Sequence, residues 1–276
     1  MRSAPNPLTD LVLSRRLERA EASANAAFVE ARAERQPTSG AAWRDFNGIY
    51  AMFDGVGSPL TQTFGLGLFA PPSEAELTAI EEFFAKRGAE VLHEVSPLAG
   101  PAVLALLPSR GYVPIEQTTV MHRSLGPDML PAIDHERAVR TRIVGPMELE
   151  AWADVSARGW GESPELAAFM RDFGTVTARS RGVTCFAAEI DGRTVGTGAM
   201  AMHGSVALLA GASTVPEYRG RGAQLALLAT RLRHAADHGC DLAMMGAAPG
   251  STSQTNAERQ GFRIAYTRLK WRRGGA

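Results

Sequence analysis

The chain has 276 residues, with 29 basic and 29 acidic side chains, 45% apolar and 21% charged residues. That length suits two lobes, since single domains run to roughly 100–150 residues, and the composition excludes a globally disordered chain. A zero formal charge excludes a general nucleic-acid binder, which needs a phosphate-neutralising excess, and a polybasic membrane anchor.

The neutrality is uneven along the chain. Residues 1–135 hold 11 basic and 16 acidic side chains, and the remainder 18 and 13. Cys185 and Cys240 are too few for a disulfide framework, and no CxxC pair suggests zinc. No apolar run approaches the roughly 20 residues of a membrane span, and Arg15-Arg16 interrupts the N-terminus. The expectation is a soluble, cytoplasmic protein with no nucleic-acid or membrane partner, a monomer or homodimer.

In chain order, Leu13, Leu17, Ala20, Ala24 and Phe28 recur at three- and four-residue steps, predicting an amphipathic helix over 8–35. Gln36-Pro37-Thr38-Ser39-Gly40 ends it. Strands are expected at 42–47, 49–53 and 61–69, a helix at 73–86, a strand at 90–95, a helix at 100–109 and a strand at 114–123. Two prolines mark 126–137 as a linker. Beyond it the pattern predicts a strand at 139–144, helices at 147–158 and 164–179, and strands at 184–189, 194–202 and 205–214. A helix at 223–238, a strand at 241–246, a helix at 251–260 and a strand at 263–272 complete the chain. Strands and helices mixed in this order read as α/β or α+β.

A weak internal repeat is present. Gly88 and Gly111 each close a helix and open a strand, and Gly239 and Gly261 do the same about 150 residues later. The divisions expected are an N-terminal helix (1–40), one lobe (41–125), the linker (126–137) and a second lobe (138–276).

The segment Ser213-Thr214-Val215-Pro216-Glu217-Tyr218-Arg219-Gly220-Arg221-Gly222-Ala223-Gln224-Leu225 lies between a predicted strand and helix. Its glycines permit a tight turn with no Cβ to block a ligand. Successive amides at a helix start form an anion site suited to pyrophosphate, to which Arg219 and Arg221 add charge. The alternative is a surface turn with solvated arginines.

The (R/Q)-x-x-G-x-(G/A) pattern at Arg219–Gln224, with Gly261-Phe262 opening the last strand, resembles the GCN5-related N-acetyltransferase (GNAT) superfamily. The resemblance covers residues 138–273, and residues 42–124 look like a degenerate copy. It implies a tandem arrangement of two GNAT-like lobes, each a mixed, mostly antiparallel sheet flanked by helices. It also implies acetyl-CoA as co-substrate and transfer of acetyl to a primary amine. The amides of residues 219–225 would hold the pyrophosphate, and the backbone of Ser213–Val215 would pair with the pantetheine arm. One departure is that Gln224 stands where the pattern has Gly or Ala. Another is that Ala257 occupies the position where the family often carries a catalytic Tyr. Ser251, Ser253 and Tyr218 are substitutes for that acid, and Asn256 would bond the cofactor arm or merely face solvent.

In the N-terminal lobe Ser73 and Glu76 form a capping-box pattern where a phosphate loop would stand, and Glu74 and Glu76 would repel an anion. That lobe is expected to bind no CoA. Gly159-Trp160-Gly161-Glu162 joins two helices. Trp160 would stack on an acceptor and Glu162 would bind or deprotonate its amine, unless the segment is only a capping turn. His93-Glu94 would face a cleft or form a partly buried pair; His203, Glu189 and Cys240 read as turn or packing residues. No metal ligands are expected.

The expected function is acetylation of a small-molecule amine, such as an amino-sugar antibiotic or another cationic metabolite. The competing readings are a non-catalytic acetyl-CoA sensor and a protein N-acetyltransferase.

Overall fold

A computed structural model describes residues 7–126, 139–160 and 163–274. Asp10 opens α1 (Leu11–Arg35) by accepting the Leu13 amide at 2.7 Å. Strands β1 (Ala42–Phe46), β2 (Ile49–Phe53) and β3 (Gln62–Phe64) follow, then α2 (Glu74–Ala85), β4 (Leu92–Val95), α3 (Pro101–Ser109) and β5 (Tyr112–Ser124). Next come β6 (Arg140–Ile143), α4 (Leu149–Trp160), α5 (Pro164–Arg179), β7 (Val183–Ile190), β8 (Arg193–His203) and β9 (Val206–Thr214). The chain ends with α6 (Ala223–Asp237), β10 (Leu242–Ala247), α7 (Thr252–Arg259) and β11 (Arg263–Arg273). The strand expected over 61–69 is cut to Gln62–Phe64, because Gly65 and Gly67 take left-handed backbone and turn the chain. The linker expected at 126–137 lies, apart from Gly126, outside the described residues.

Contacts divide the chain into two compact units, Ser124–Ala243 and Asn6–Arg123 with Met244–Ala276. Chain order assigns the last helix and strand to the C-terminal lobe; in the structure α7 and β11 pack with the N-terminal unit. The four repeat glycines, Gly88, Gly111, Gly239 and Gly261, all take left-handed backbone at helix ends. The runs α2–β4–α3–β5 and α6–β10–α7–β11 therefore share their order of elements.

In the N-terminal unit the strands run β1-β2-β3-β4-β11-β5. They are antiparallel except for a short parallel contact of β3 with β4 at Thr63 and His93. On one face Leu77, Ile80 and Phe84 of α2 and Val103 and Leu107 of α3 cover Ala51, Val95, Tyr112 and Trp271. On the other, Ala22, Ala26 and Val29 of α1 cover Met52 and Phe64. Each large side chain so buried stabilises the fold by about 1.5–3 kcal/mol.

The α1 face also buries charge. Arg268 of β11 reaches Glu21 through two bonds of 2.7 and 2.8 Å, Glu94 at 2.8 Å and Glu18 at 3.4 Å. Tyr266 donates to Glu18 at 2.9 Å. Burial opposes the charge on Arg268, but the three carboxylates overcome it and hold its pKa well above the ordinary value. Glu18 is pushed up to about 7, because its burial outweighs the attraction of Arg268. On the opposite face His93 bonds Thr63 Oγ1 at 2.7 Å, and its burial pushes its pKa down to about 4.

In the C-terminal unit β9, β8, β7 and β6 form an antiparallel sheet in that order. Alternation along β8 turns Thr197 and Ala199 toward α4, and Gly196 and Gly198 toward α6. Trp152 of α4 packs with Val144, Cys185 and Ala187, and its indole N–H donates to Phe186 O at 2.9 Å. Ser163 caps α5 by accepting the Leu166 amide at 3.2 Å. Arg171–Asp154 at 2.5 Å and Arg179–Glu150 at 2.8 Å tie α5 to α4.

These titrations set a pH profile. Glu18 keeps its proton in the folded state up to about 7, whereas the unfolded chain loses it near 4.5. Its contribution is full below that lower value and is lost as the pH rises through the window. His93 acts in reverse, its contribution present above 6.5 and lost as the pH falls toward about 4. Glu18→Gln leaves His93 unopposed. Urea midpoints of that variant should drop more steeply than wild type on acidification from pH 6.5. At pH 8 its unfolding free energy should exceed that of wild type by on the order of 2–3 kcal/mol. A profile parallel to wild type would show that Glu18 is ionised throughout.

Candidate active site

The site grows from an irregularity in β9. Thr197 pairs with Ser213 and Ala199 with Ala210, so Gly211 and Ala212 of β9 stand opposite Gly198 alone. This is a β-bulge, with Gly211 in left-handed conformation at φ +58°. Beyond it Val215 N donates to Val195 O at 2.9 Å. Antiparallel alternation then turns the backbone of Ser213 and Val215 toward β8 and that of Thr214 toward the opposite edge. Of the three residues expected to pair with a pantetheine arm, Thr214 presents its amide and carbonyl there. Val215 is in the core. The Ser213 hydroxyl is buried, donating to Ser156 O at 3.1 Å and lying 2.9 Å from Thr197 Oγ1.

Residues Pro216–Tyr218 form a 3-10 turn, and α6 begins after Gly222, whose φ is +88°. No side chain caps the helix. Its first internal bond runs from Ala226 N to Gly222 O at 3.0 Å. The amides of Ala223, Gln224 and Leu225 therefore have no acceptor among the described residues. No acidic side chain stands in the first turn, and the space beside Gly220 is open. An uncapped helix start with the dipole behind it suits an anion, and the residues present fit the pyrophosphate of acetyl-CoA. The start of α2 differs: Ser73 Oγ accepts the Glu76 amide at 3.2 Å and Glu76 accepts the Ser73 amide at 2.8 Å. The expected capping box forms and occupies those donors.

Side chains of the loop serve ends not visible in the pattern. Arg219 donates through Nη2 to Gly159 O at 2.8 Å and through Nε to Thr214 O at 3.4 Å. Its guanidinium thus caps the end of α4. Gln224 donates to Ser213 O at 2.6 Å and Thr214 Oγ1 at 2.8 Å, fastening the first turn of α6 to the end of β9. Arg221 is exposed, with its guanidinium carbon 5.3 Å from the centre of the half-buried Tyr218 ring.

Trp160 ends α4 and is 45% exposed. Just before it, a Cβ on Gly159 would lie 2.6 Å from both Cβ and Oγ of Ser213, so only glycine lets α4 approach β9 this closely. Glu162 and Gly161 lie outside the described residues. Ser253 and Asn256 are exposed on α7, which belongs to the other compact unit, and Ser251 is engaged as the cap of that helix. Ala257 is buried at 3%.

The remaining sequence candidates take structural places. Glu94 is in the Arg268 cluster and His93 is buried beside Thr63, with neither partly exposed. Glu189 accepts from Arg142 at 2.7 Å. Cys185 and Cys240 are buried, and burial pushes both thiols up. Sequence reasoning did not find the fastening of α4 to β9 through Ser156, Gly159, Ser213 and Arg219. No local signal marks it, because the partners are distant in the chain.

Residues 133–250 match the family described as the acetyltransferase (GNAT) domain. The match spans most of the C-terminal unit and stops before α7 and β11. Among solved structures, a GCN5-related N-acetyltransferase from Kribbella flavida is 17% identical at TM-score 0.64, covering 91% of this chain and 96% of that one. A tandem GNAT protein from the clavulanic acid biosynthesis pathway is 17% identical at TM-score 0.58, covering 83% and 79%. A GCN5-related N-acetyltransferase from Sphaerobacter thermophilus is 17% identical at TM-score 0.56, covering 99% and 98%. No curated protein matches in sequence. Residues 133–250 belong to the GNAT family, and the chain has the fold of GNAT proteins. The class of the matched domain is the acetyltransferases.

The position where the pattern carries Gly or Ala yields a prediction. Gln224→Ala, a change to a pattern residue, is expected to weaken CoA binding by about 3–10-fold in calorimetric titration, because two bonds to the end of β9 are lost. Equal or tighter binding would show that the tie is incidental.

Proposed function

We propose that the protein moves acetyl from acetyl-CoA to a primary amine of a small molecule. The observation that carries this is the uncapped start of α6, with its unpaired amides, adjoining the end of α4 that bears the exposed Trp160. Acetyl-CoA supplies an activated thioester: the amine nitrogen forms the new bond to the acetyl carbon, the C–S bond breaks, and the thiolate takes a proton. The amides of residues 222–225 hold the pyrophosphate, assisted by Arg221. The Thr214 backbone pairs with the arm, and its amide orients the acetyl oxygen. Trp160 offers an aromatic face to the acceptor, which suits an ammonium.

Tyr218, in the turn after Val215, is the candidate acid for the thiolate. Glu162 is the candidate base. The acidic N-terminal half, by contrast, gives no support to a cationic acceptor. Its carboxylates Glu18, Glu21, Glu81 and Glu94 are paired with Arg268, Arg110, Arg273 and Lys270. Among the described residues, the exposed ring of Trp160 is what favours an amino sugar or other cationic amine.

CoA release from acetyl-CoA, followed with a thiol reagent over a panel of amino sugars, polyamines, neutral amines and peptides, tests the reading. Turnover of small amines, fastest with cationic ones, is expected. Trp160→Ala should raise the acceptor KM by about tenfold and leave the acetyl-CoA KM unchanged. Gly222→Val, which forces a branched residue to φ +88°, should weaken CoA binding at least about tenfold. Acetylation of peptides but not of free amines would replace the small-molecule acceptor with a protein one. Tight CoA binding with no release on any acceptor would point to a sensor.

A further inference from the structure

Arg231 lies on the face of α6 turned to the sheet and is 4% exposed. It has no carboxylate partner among the described residues, and burial alone pushes its pKa down to about 10. Its Nη1 donates to two carbonyls on neighbouring strands, Ala199 O at 3.1 Å and Ala210 O at 3.3 Å, and its Nε to Leu227 O at 3.3 Å. Ala199 and Ala210 are the last pair in register before the β9 bulge. Gly198, the residue opposite the bulge, leaves the room: a Cβ there would lie 3.0 Å from the guanidinium carbon.

Burying an unpaired cation is costly, and a Leu or Met on this face of α6 would pack without that cost. The guanidinium does something packing does not require. It bridges the two strands at the point where β9 changes register, and the bulge decides which backbone groups of residues 212–215 turn away from β8.

We propose that Arg231 is a positioning residue for acetyl-CoA: by clamping the β9 bulge it fixes the direction in which Ala212–Val215 leave the register and so presents Thr214 to the cofactor arm. This rests on the acetyl-CoA reading of the loop. Arg231 touches no part of the cofactor site itself and acts through the strand.

The test compares wild type with Arg231→Met, Arg231→Lys and Gly198→Ala, using CoA as the probe in calorimetric titration. Hydrogen exchange of the 208–215 backbone is followed without CoA. Met fills the volume without charge, so R231M should keep its Tm while binding CoA on the order of tenfold more weakly and exchanging faster at 212–215. Lys keeps a cation with less reach and should recover part of the affinity. G198A displaces the guanidinium and should behave like R231M, which keeps the test intact if Met fails to fold. R231M with wild-type affinity and exchange overturns the proposal while leaving the cofactor reading in place. A loss of affinity that merely follows a loss of Tm, with no rescue by Lys, also overturns it. Failure of wild type to bind CoA would instead overturn the reading of the loop.

Discussion

Arg268, on the last strand of the chain, is held by Glu18 and Glu21 of the first helix and by Glu94 of the strand beside it. In so buried a setting an isolated carboxylate of this group would be expensive, and removing the one cation they share typically costs 3–5 kcal/mol. The cluster therefore demands that both ends of the chain be present before the N-terminal unit closes. Residues near position 20 and near position 268 are neighbours in its core, and β11 completes the sheet between β4 and β5. Tyr266 and Lys270 extend the same constraint along β11.

This accounts for the uneven charge. The carboxylate excess of residues 1–135 and the basic excess of the remainder suggest one anion-binding lobe and one acidic lobe when read in chain order. In the folded unit made of residues 6–123 and 244–276 there are 16 basic and 15 acidic side chains, a net of +1. The C-terminal cations are the partners of the N-terminal carboxylates. Local electrostatics at the start of α6 then rest on the helix dipole, the free amides and the loop arginines rather than on the charge of a lobe.

What was legible in the sequence follows the range of the interaction that decides it. Helix α6, expected at 223–238, ends one residue earlier, because its limits are set by the glycine before it and the glycine after it. The capping box of α2 was readable for the same reason, being a local pattern. The strand over 61–69 was overextended, since apolar residues at Leu66 and Leu68 satisfy the core from a turn as well as from a strand. The place of β11 was not legible. A strand's own residues do not say which neighbour it joins, and the repeat suggested the lobe nearest in the chain. Nor was the duty of Arg219, whose bond to Gly159 joins residues 60 apart.

The site follows a rule that the motif alone conceals. Three polar side chains that a pattern would assign to a ligand or to solvent are turned onto backbone carbonyls: Arg219 onto Gly159 and Thr214, Gln224 onto Ser213, and Arg231 onto Ala199 and Ala210. Side-chain donors thus satisfy acceptors at the bulge, at the end of α4 and at the end of β9. The groups left without partners are donors of another kind, the amides that open α6. A backbone amide has no rotamer freedom to lose on binding an anion, whereas a long arginine loses a good deal. Flexible donors are thus tied to fixed carbonyls, and the donors left open are fixed amides, which lose little freedom when an anion binds.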